Sequence, residues 1–260
     1  MKIYSQYGCK IYWDESREKV REKISVAMAT YNGEKYIKEQ IDSILVNLEK
    51  NDELIISDDG STDNTINIIK SYKDNRIILL NGPRKGVKQN FANAISYATG
   101  KYIFLSDQDD IWMDNKVEEV IKIFKKEHTN LIVHDAIVFD DNTKNNICDS
   151  FFEYRKSGSG VIKNLLKNTY IGCCMAFDSK IVKNILPIPN DIEMHDQWIG
   201  MINDFYYKNT IFINKKLIKY RRHEGNASDC FHHSQIGKMI KNRFCLIIEL
   251  IKRRVKCIGY

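Results

Sequence analysis

Two short stretches of this sequence crowd carboxylates together. In FLSDQDDIW, Asp107, Asp109 and Asp110 fill three of four consecutive positions behind an apolar run. Carboxylates this close disfavour one another's charge, so the cluster needs a partner. Asp107-Gln108-Asp109 has D-x-D spacing, and two such acids at a strand end can share a hard divalent cation with phosphate oxygens. Mg2+ and Mn2+ suit the site because they keep phosphates and waters as their other ligands. Alone, the motif reads better as a solvated loop in which Asp109 or Asp110 caps a helix beginning near Asn115. In IISDDGSTDNT, the pair Asp58-Asp59 suits hydrogen bonds to a base imide N–H or a ribose hydroxyl. A turn with Gly60 and Ser61 needs only one of the two acids.

Placement decides between these readings. ISVAMATYNG reads as a buried strand, Ile24 to Thr30, ending at an Asn-Gly turn signal. Ile37, Ile41, Ile44, Leu45 and Leu48 follow at helical spacing. ELIISD is a second strand, followed by a helix with Ile66, Ile69 and Tyr72 on its apolar face and Ser61 or Thr62 as its cap. RIILL is a third strand, and Phe91, Ala94, Ile95 and Ala98 mark a third helix closed by Gly100. KYIFLSD, the fourth strand, leads into the D-x-D. This alternation implies right-handed crossovers and a mostly parallel sheet with helices on its faces. Ligands bind such sheets beyond the carboxyl ends of the strands. Thr30-Tyr31-Asn32, Asp58-Asp59 and Asp107 to Asp110 stand at three such ends and therefore share one rim.

The second half is less regular. NLIVHDAIVF and GCCMAFD read as strands, and residues 140–160 as a loop. Trp198, Ile199, Ile202 and Phe205 give helical spacing from Asp196 to Tyr207, and TIFI with KLIKY suggests a short antiparallel pair. From Ser234 a basic helix sets Ile236, Met239, Ile240, Phe244, Ile247, Ile248 and Ile251 on one broad face. That face suits either packing on its own domain or lying on anionic lipid.

Composition narrows the class. A net charge of +6 permits contact with phosphates or an anionic membrane surface. No zinc-finger, RNA-recognition or helix-turn-helix signature accompanies the basic C-terminal stretch, so nucleic acid is not the expected partner. Seven cysteines, an odd number without a CxxC pair, read as reduced thiols of a cytoplasmic protein. The N-terminal stretch carries charges where a secretion signal needs an apolar run.

Together ISVAMATYNGEKYIKEQIDSIL, IISDDGSTDNT and GVKQNFANAISYATGKYIFLSDQDDIW resemble the nucleotide-binding half of family 2 glycosyltransferases, which have the GT-A fold. HDQW and YRRHEGNAS extend the resemblance over most of the chain, and with SDQDDIW they are most similar to bacterial rhamnosyltransferase-like members. The resemblance implies an α/β domain over residues 23–233, with a nucleotide-binding half (23–115) and an acceptor-side half (116–233) that includes a small antiparallel portion. Residues 1–22 form an extension, and 234–260 the amphipathic helix.

By the same resemblance, Thr30 and Tyr31 line the base pocket, Asp59 with Asp58 reads the base, and Asp107 meets the ribose. Arg84 or Lys85 stands where a basic residue approaches the nucleotide. Asp109 holds Mg2+ or Mn2+, and His223 completes the metal site. Arg221 and Arg222 are placed to meet phosphate. Asp196 is the base that deprotonates the acceptor, or the N-cap of its helix, or both. The family has Glu where this chain has His195. Gly172 belongs to the acceptor-lining segment, and Trp198 is either an acceptor platform or a core residue. The implied reaction is inverting, metal-dependent sugar transfer from a UDP- or dTDP-sugar to a glycan or lipid-linked acceptor in bacterial surface polysaccharide assembly. The Q-x-x-R-W motif of processive synthases is absent. A sugar-nucleotide pyrophosphorylase would carry a Gly-rich G-G-x-G-x-R loop where Thr30-Tyr31-Asn32-Gly33 stands. A non-catalytic nucleotide-binding relative would have no need to keep Asp59, Asp107, Asp109 and Asp196 together.

Overall fold

A computed structural model describes residues 21–224, 226 and 236–258. Most of the N-terminal extension, together with Ser234, therefore lies outside the described residues. The chain begins with β1 (Ile24–Thr30), α1 (Ile37–Leu45), β2 (Glu53–Asp58), α2 (Thr65–Ser71), β3 (Ile77–Asn81), α3 (Val87–Ser96) and β4 (Tyr102–Ser106). These strands pair in parallel in the order β3-β2-β1-β4. Every residue of β1, β2 and β4 is buried. That is the signature of strands covered on both faces, and it explains why they are unbroken apolar runs. From α1, Ile37, Ile41 and Ile44 pack onto the sheet, as do Phe91, Ala94 and Ile95 from α3.

The second half supplies β5 (Ile111–Trp112), α4 (Lys116–Glu127), β6 (Leu131–Asp140), β7 (Asn146–Cys148), α5 (Phe151–Arg155), α6 (Val161–Leu166), β8 (Met175–Asp178), α7 (Val182–Ile185), α8 (His195–Tyr206), β9 (Thr210–Arg222) and α9 (Ile236–Ile258). The sheet continues from β4 through antiparallel β8 and β6 to β9 and β5. Gly172–Cys174 form a 3-10 turn ahead of β8, so only the last four residues of GCCMAFD are strand. The loop expected over 140–160 contains β7 and α5.

TIFI and KLIKY are not an antiparallel pair. They are the two ends of β9, which runs parallel to β6 throughout. His134 pairs with Ile213 and Asp135 with Lys216, so Asn214 and Lys215 form a bulge that imitates a turn in the sequence. The second half of β9 also pairs antiparallel with β5, Ile111 opposite Lys219 and Trp112 opposite Ile218. This pairing carries Arg221, Arg222 and His223 back to the D-x-D, more than a hundred residues earlier in the chain.

The C-terminal helix packs on its own domain along one side. Leu246 and Leu250 are buried against the domain. Arg243 donates to the Leu165 carbonyl at 3.0 Å, and Arg253 to those of Leu186 and Pro187 at 2.5 and 2.6 Å. Ile240, Phe244, Ile247 and Ile251 remain exposed. No described helix is long and apolar enough to cross a membrane.

Candidate active site

A cleft of about 420 Å³ opens beyond the carboxyl ends of β1, β2 and β4. That volume is within the range of small-ligand pockets. Its walls combine Thr30, Tyr31, Asp59, Asp107 and Asp109 from the parallel half with Gly172, His195 and Asp196 from the other. The strand ends thus deliver the expected acids to one space, and α8 brings Asp196 across from them.

The wall nearest β1 is held by Gln108, the middle residue of the D-x-D. Its Oε1 accepts from Thr30 Oγ1 at 2.6 Å and from the Tyr31 N–H at 2.9 Å, and its Nε2 donates to the Tyr31 carbonyl at 3.1 Å. A Cβ at position 33 would fall 2.3 Å from Gln108 Oε1, so the Asn-Gly turn needs its glycine for this latch. Tyr31 itself is 55% exposed at the cleft wall. Asn90 of α3 joins the ends of β1 and β2 by donating to the Thr30 and Ser57 carbonyls at 3.1 and 2.8 Å.

Asp58 and Asp59 separate in role. Asp59 lines the cleft and accepts from the Gly86 N–H at 2.7 Å, tying β2 to the start of α3. Asp58 is buried and turned away. Its carboxylate accepts from the N–H groups of Gly60 and Ser61 at 3.0 and 2.8 Å and from the Ser61 hydroxyl. It shapes the turn and has no route to a base, which corrects its expected role. Ser61 is used in this way and does not cap α2, whose N-cap is Asn64. Arg84 lies outside the cleft lining, its side chain against Gly60 in a left-handed backbone conformation at φ 57°.

The three acids of the opening motif also divide. Asp109 is directed at the cleft, with its Oδ2 2.8 Å from His223 Nε2 and 3.3 Å from Asn226 Nδ2. The His223 ring packs on Tyr36, centroids 4.6 Å apart. Asp110 is 1% exposed and accepts from the Arg221 N–H at 3.0 Å, which pins β9 to the motif. It does not cap α4, since Asn115 is the N-cap. Arg221 is equally committed. Its guanidinium, 3% exposed, donates to the Asp109 carbonyl at 2.7 Å, to Asp141 at 2.6 Å and to Glu39, which leaves it unsuited to a phosphate.

Lys116 supports the cluster from below. It is fully buried, donates to the Cys173 carbonyl at 2.9 Å and sits 3.7 Å from the centre of the Trp112 ring. Burial pushes its ammonium down to about 8, opposed by the neighbouring thiols and by Asp110 and Asp107. Burial and the Asp110, Asp109 and Asp196 carboxylates together push Asp107 well above the ordinary aspartate range.

Two arrangements offer donors to a cation. Ligand atoms of Asp107, Asp110 and Cys173 lie within 4.8 Å of one another. Cys173 is buried, and burial pushes its thiol up, away from the thiolate a metal would need. The carboxylate of Asp109 faces the cleft and offers a hard oxygen donor that suits Mg2+ or Mn2+, and the His223 imidazole beside it adds a nitrogen donor that Mg2+ takes less readily.

On the opposite wall Asp196 accepts from the Gln197 N–H at 2.6 Å, from Asn168 Nδ2 at 3.3 Å and from the Gly172 N–H. Burial outweighs these bonds and pushes its carboxyl up to about 6. A base so placed is ionised at neutral pH yet holds a proton more readily than an exposed aspartate does. Trp198 is no acceptor platform. It is 0% exposed, and its indole N–H donates to the Ile185 carbonyl at 2.8 Å. Gly172 does line the cleft beside Asp196.

Gln108, Asn90, Lys116 and Asn226 are site residues that the sequence does not mark by type. Gln108, Asn226 and Asn90 lie inside SDQDDIW, YRRHEGNAS and GVKQNFANAISYATGKYIFLSDQDDIW, which is the signal the sequence offers for them.

Comparison with known proteins agrees with this arrangement. The family model described as glycosyl transferase family 2 matches residues 25–186. A UDP-Glc:alpha-D-GlcNAc-diphosphoundecaprenol beta-1,3-glucosyltransferase, WfgD of Escherichia coli, is 31% identical over 91% of this chain and 90% of its own. The dTDP-rhamnosyl transferase RfbG of Shigella flexneri is 30% identical over 76% and 72%, respectively. Among solved structures, S. aureus TarS 1-349 in complex with UDP-GlcNAc superposes with a TM-score of 0.66 at 19% identity, covering 87% of this chain and 66% of that one, a likeness of fold. From the strand-end motifs to the near full-length relatives, these findings converge: the chain belongs to glycosyl transferase family 2 and is a glycosyltransferase.

Proposed function

We propose that this enzyme transfers a sugar, with inversion and with a divalent cation, from a UDP- or dTDP-sugar to a lipid-linked glycan acceptor in surface polysaccharide assembly. The observation that carries this reading is the shared cleft, which sets the D-x-D of β4 against the buried Asp196 of α8. The acceptor hydroxyl attacks the anomeric carbon as Asp196 takes its proton, and the bond from that carbon to the diphosphate oxygen breaks. Tyr31 and Asp59 receive the base, and Asp107 the ribose. Asp109 and His223 would hold the cation, which would supply positive charge to offset that of the departing diphosphate. The acceptor class is supported by a relative: WfgD's name specifies a diphosphoundecaprenol substrate. A thermal-shift screen of nucleotide sugars with Mn2+ tests the donor assignment, because a specific ligand raises the melting temperature by mass action. Stabilisation by one base and sugar class is expected. A chain that no nucleotide sugar or nucleoside diphosphate stabilises would overturn the reading.

A lipid-linked acceptor gives α9 a use. Its outward residues Ile240, Phe244 and Ile251 are 60, 65 and 55% exposed. The segment 234–260 carries seven Lys or Arg against one Glu. Apolar side chains beside such charge fit an anionic lipid surface at the cytoplasmic face. The protein is expected to co-sediment with phosphatidylglycerol-containing vesicles and not with pure phosphatidylcholine. Phe244→Glu should weaken that binding at least tenfold, about what removing one buried aromatic costs. Equal sedimentation with both vesicle types would remove the lipid assignment.

A further inference from the structure

His195 lines the cleft at the start of α8. It is 3% exposed, yet neither Nδ1 nor Nε2 has a hydrogen-bond partner among the described residues. Its ring lies on Phe91 of α3, centroids 4.0 Å apart and planes 20° from parallel, so its orientation is fixed by packing. A Cβ at position 172 would come within 2.8 Å of Nε2, so the glycine there keeps the space beside that buried nitrogen free of a side chain. Burying a donor and an acceptor unpaired is unfavourable, and native proteins rarely tolerate it without a ligand or a water to complete the bonds. The ring lines the cleft directly beside Asp196.

The chemistry of the ring selects among the groups that could fill this space. Burial pushes the imidazole down to about 3, so it is neutral at working pH. A neutral imidazole presents one N–H and one lone pair. Phosphate oxygens offer acceptors only, so a phosphate could satisfy the ring's N–H but not its lone pair. A sugar hydroxyl both donates and accepts, and the sugar at the point of transfer must lie next to the base. We propose that His195 is a specificity-determining residue that reads a hydroxyl of the transferred sugar, an assignment that rests on the glycosyltransferase reading above.

The test uses the nucleotide sugar that most stabilises the full chain, its parent nucleoside diphosphate and its monodeoxy analogues, all with Mn2+. His195→Phe is expected to bind the nucleoside diphosphate within about twofold of the wild type and the nucleotide sugar about tenfold more weakly, the effect of one neutral hydrogen bond in a dry site. The wild type should reject one monodeoxy analogue about tenfold, and His195→Phe should bind it as well as the parent sugar. His195→Asn keeps a donor and an acceptor on a shorter arm and should recover part of the discrimination. It carries the same comparison if the Phe variant does not fold. Unchanged affinity for the nucleotide sugar, or an equal loss with both ligands in folded protein, overturns the assignment. A wild type that binds the diphosphate but no nucleotide sugar fails earlier and identifies the donor reading as the fault.

Discussion

Asp196→Asn is expected to bind donor normally, to lose transfer by about a thousandfold and to melt at a higher temperature than the wild type at pH 8. The first two effects follow from removing the base while its shape is kept, since general-base catalysis contributes on the order of 10²–10⁴. The third follows from burial. The Asp196 carboxyl is pushed up to about 6 from an ordinary 3.8. The folded state therefore binds this proton more tightly than the unfolded chain does. Between those two values stability falls as pH rises, and the penalty is complete above the folded value. About two pH units correspond to roughly 3 kcal/mol. For a domain of this size that is roughly five to ten degrees. The Asn variant lacks the titration, so its advantage in melting temperature should grow from pH 4 to pH 8. The wild-type kcat/KM should fall below about pH 6 as the base becomes protonated. An Asp196→Asn variant with near-normal turnover would place the base elsewhere. A melting-temperature difference that does not move with pH would remove the electrostatic account.

This link between stability and activity also bears on what could be read from the sequence. The parallel half was legible almost to the residue. β1 is Ile24–Thr30 as expected, because a strand covered on both faces must be an unbroken apolar run. The position of Asp59, Asp107 and Asp109 at one rim followed from strand order alone. The roles within each acidic pair did not. Asp58 and Asp59 are chemically identical in the sequence, and alternation along the chain sends one into the turn and the other to the cleft. Trp198 was ambiguous for a different reason. All residues from His195 to Asp204 are buried, so α8 has no solvent face whose period would separate core from site. Arg221 looked like a phosphate ligand because its partners Asp141, Glu39 and the Asp109 carbonyl come from three distant segments. Gln108 was hidden in the same way, as its latch closes on Tyr31 across 77 residues.

The D-x-D raises the second large expectation. Asp109→Asn should remove the dependence of nucleoside diphosphate affinity on Mn2+. Its carboxylate is the acid of the opening motif that both faces the cleft and meets an imidazole, with Oδ2 2.8 Å from His223 Nε2. Asp110 is committed to the Arg221 N–H. Burial and three neighbouring carboxylates disfavour ionisation of Asp107. The variant exchanges a charged oxygen for an amide that can still bond to His223 and Asn226, so the fold around β9 should persist. In EDTA the wild type and the variant should bind UDP or dTDP equally. With Mn2+ the wild type should gain on the order of a hundredfold and the variant little, the loss expected when a cation is deprived of its carboxylate ligand. His223→Gln should lose less, since an amide oxygen can still reach toward the ion but the imidazole's stronger donor is gone. Linkage makes the converse measurable: nucleotide should tighten Mn2+ binding by the same factor in the wild type, and by little in Asp109→Asn. Unchanged Mn2+-dependent affinity in Asp109→Asn would move the cation to the Asp107, Asp110 and Cys173 cluster. Asp107→Asn would then be the variant that abolishes the effect, so the two substitutions together assign the cation to one side of the motif or the other.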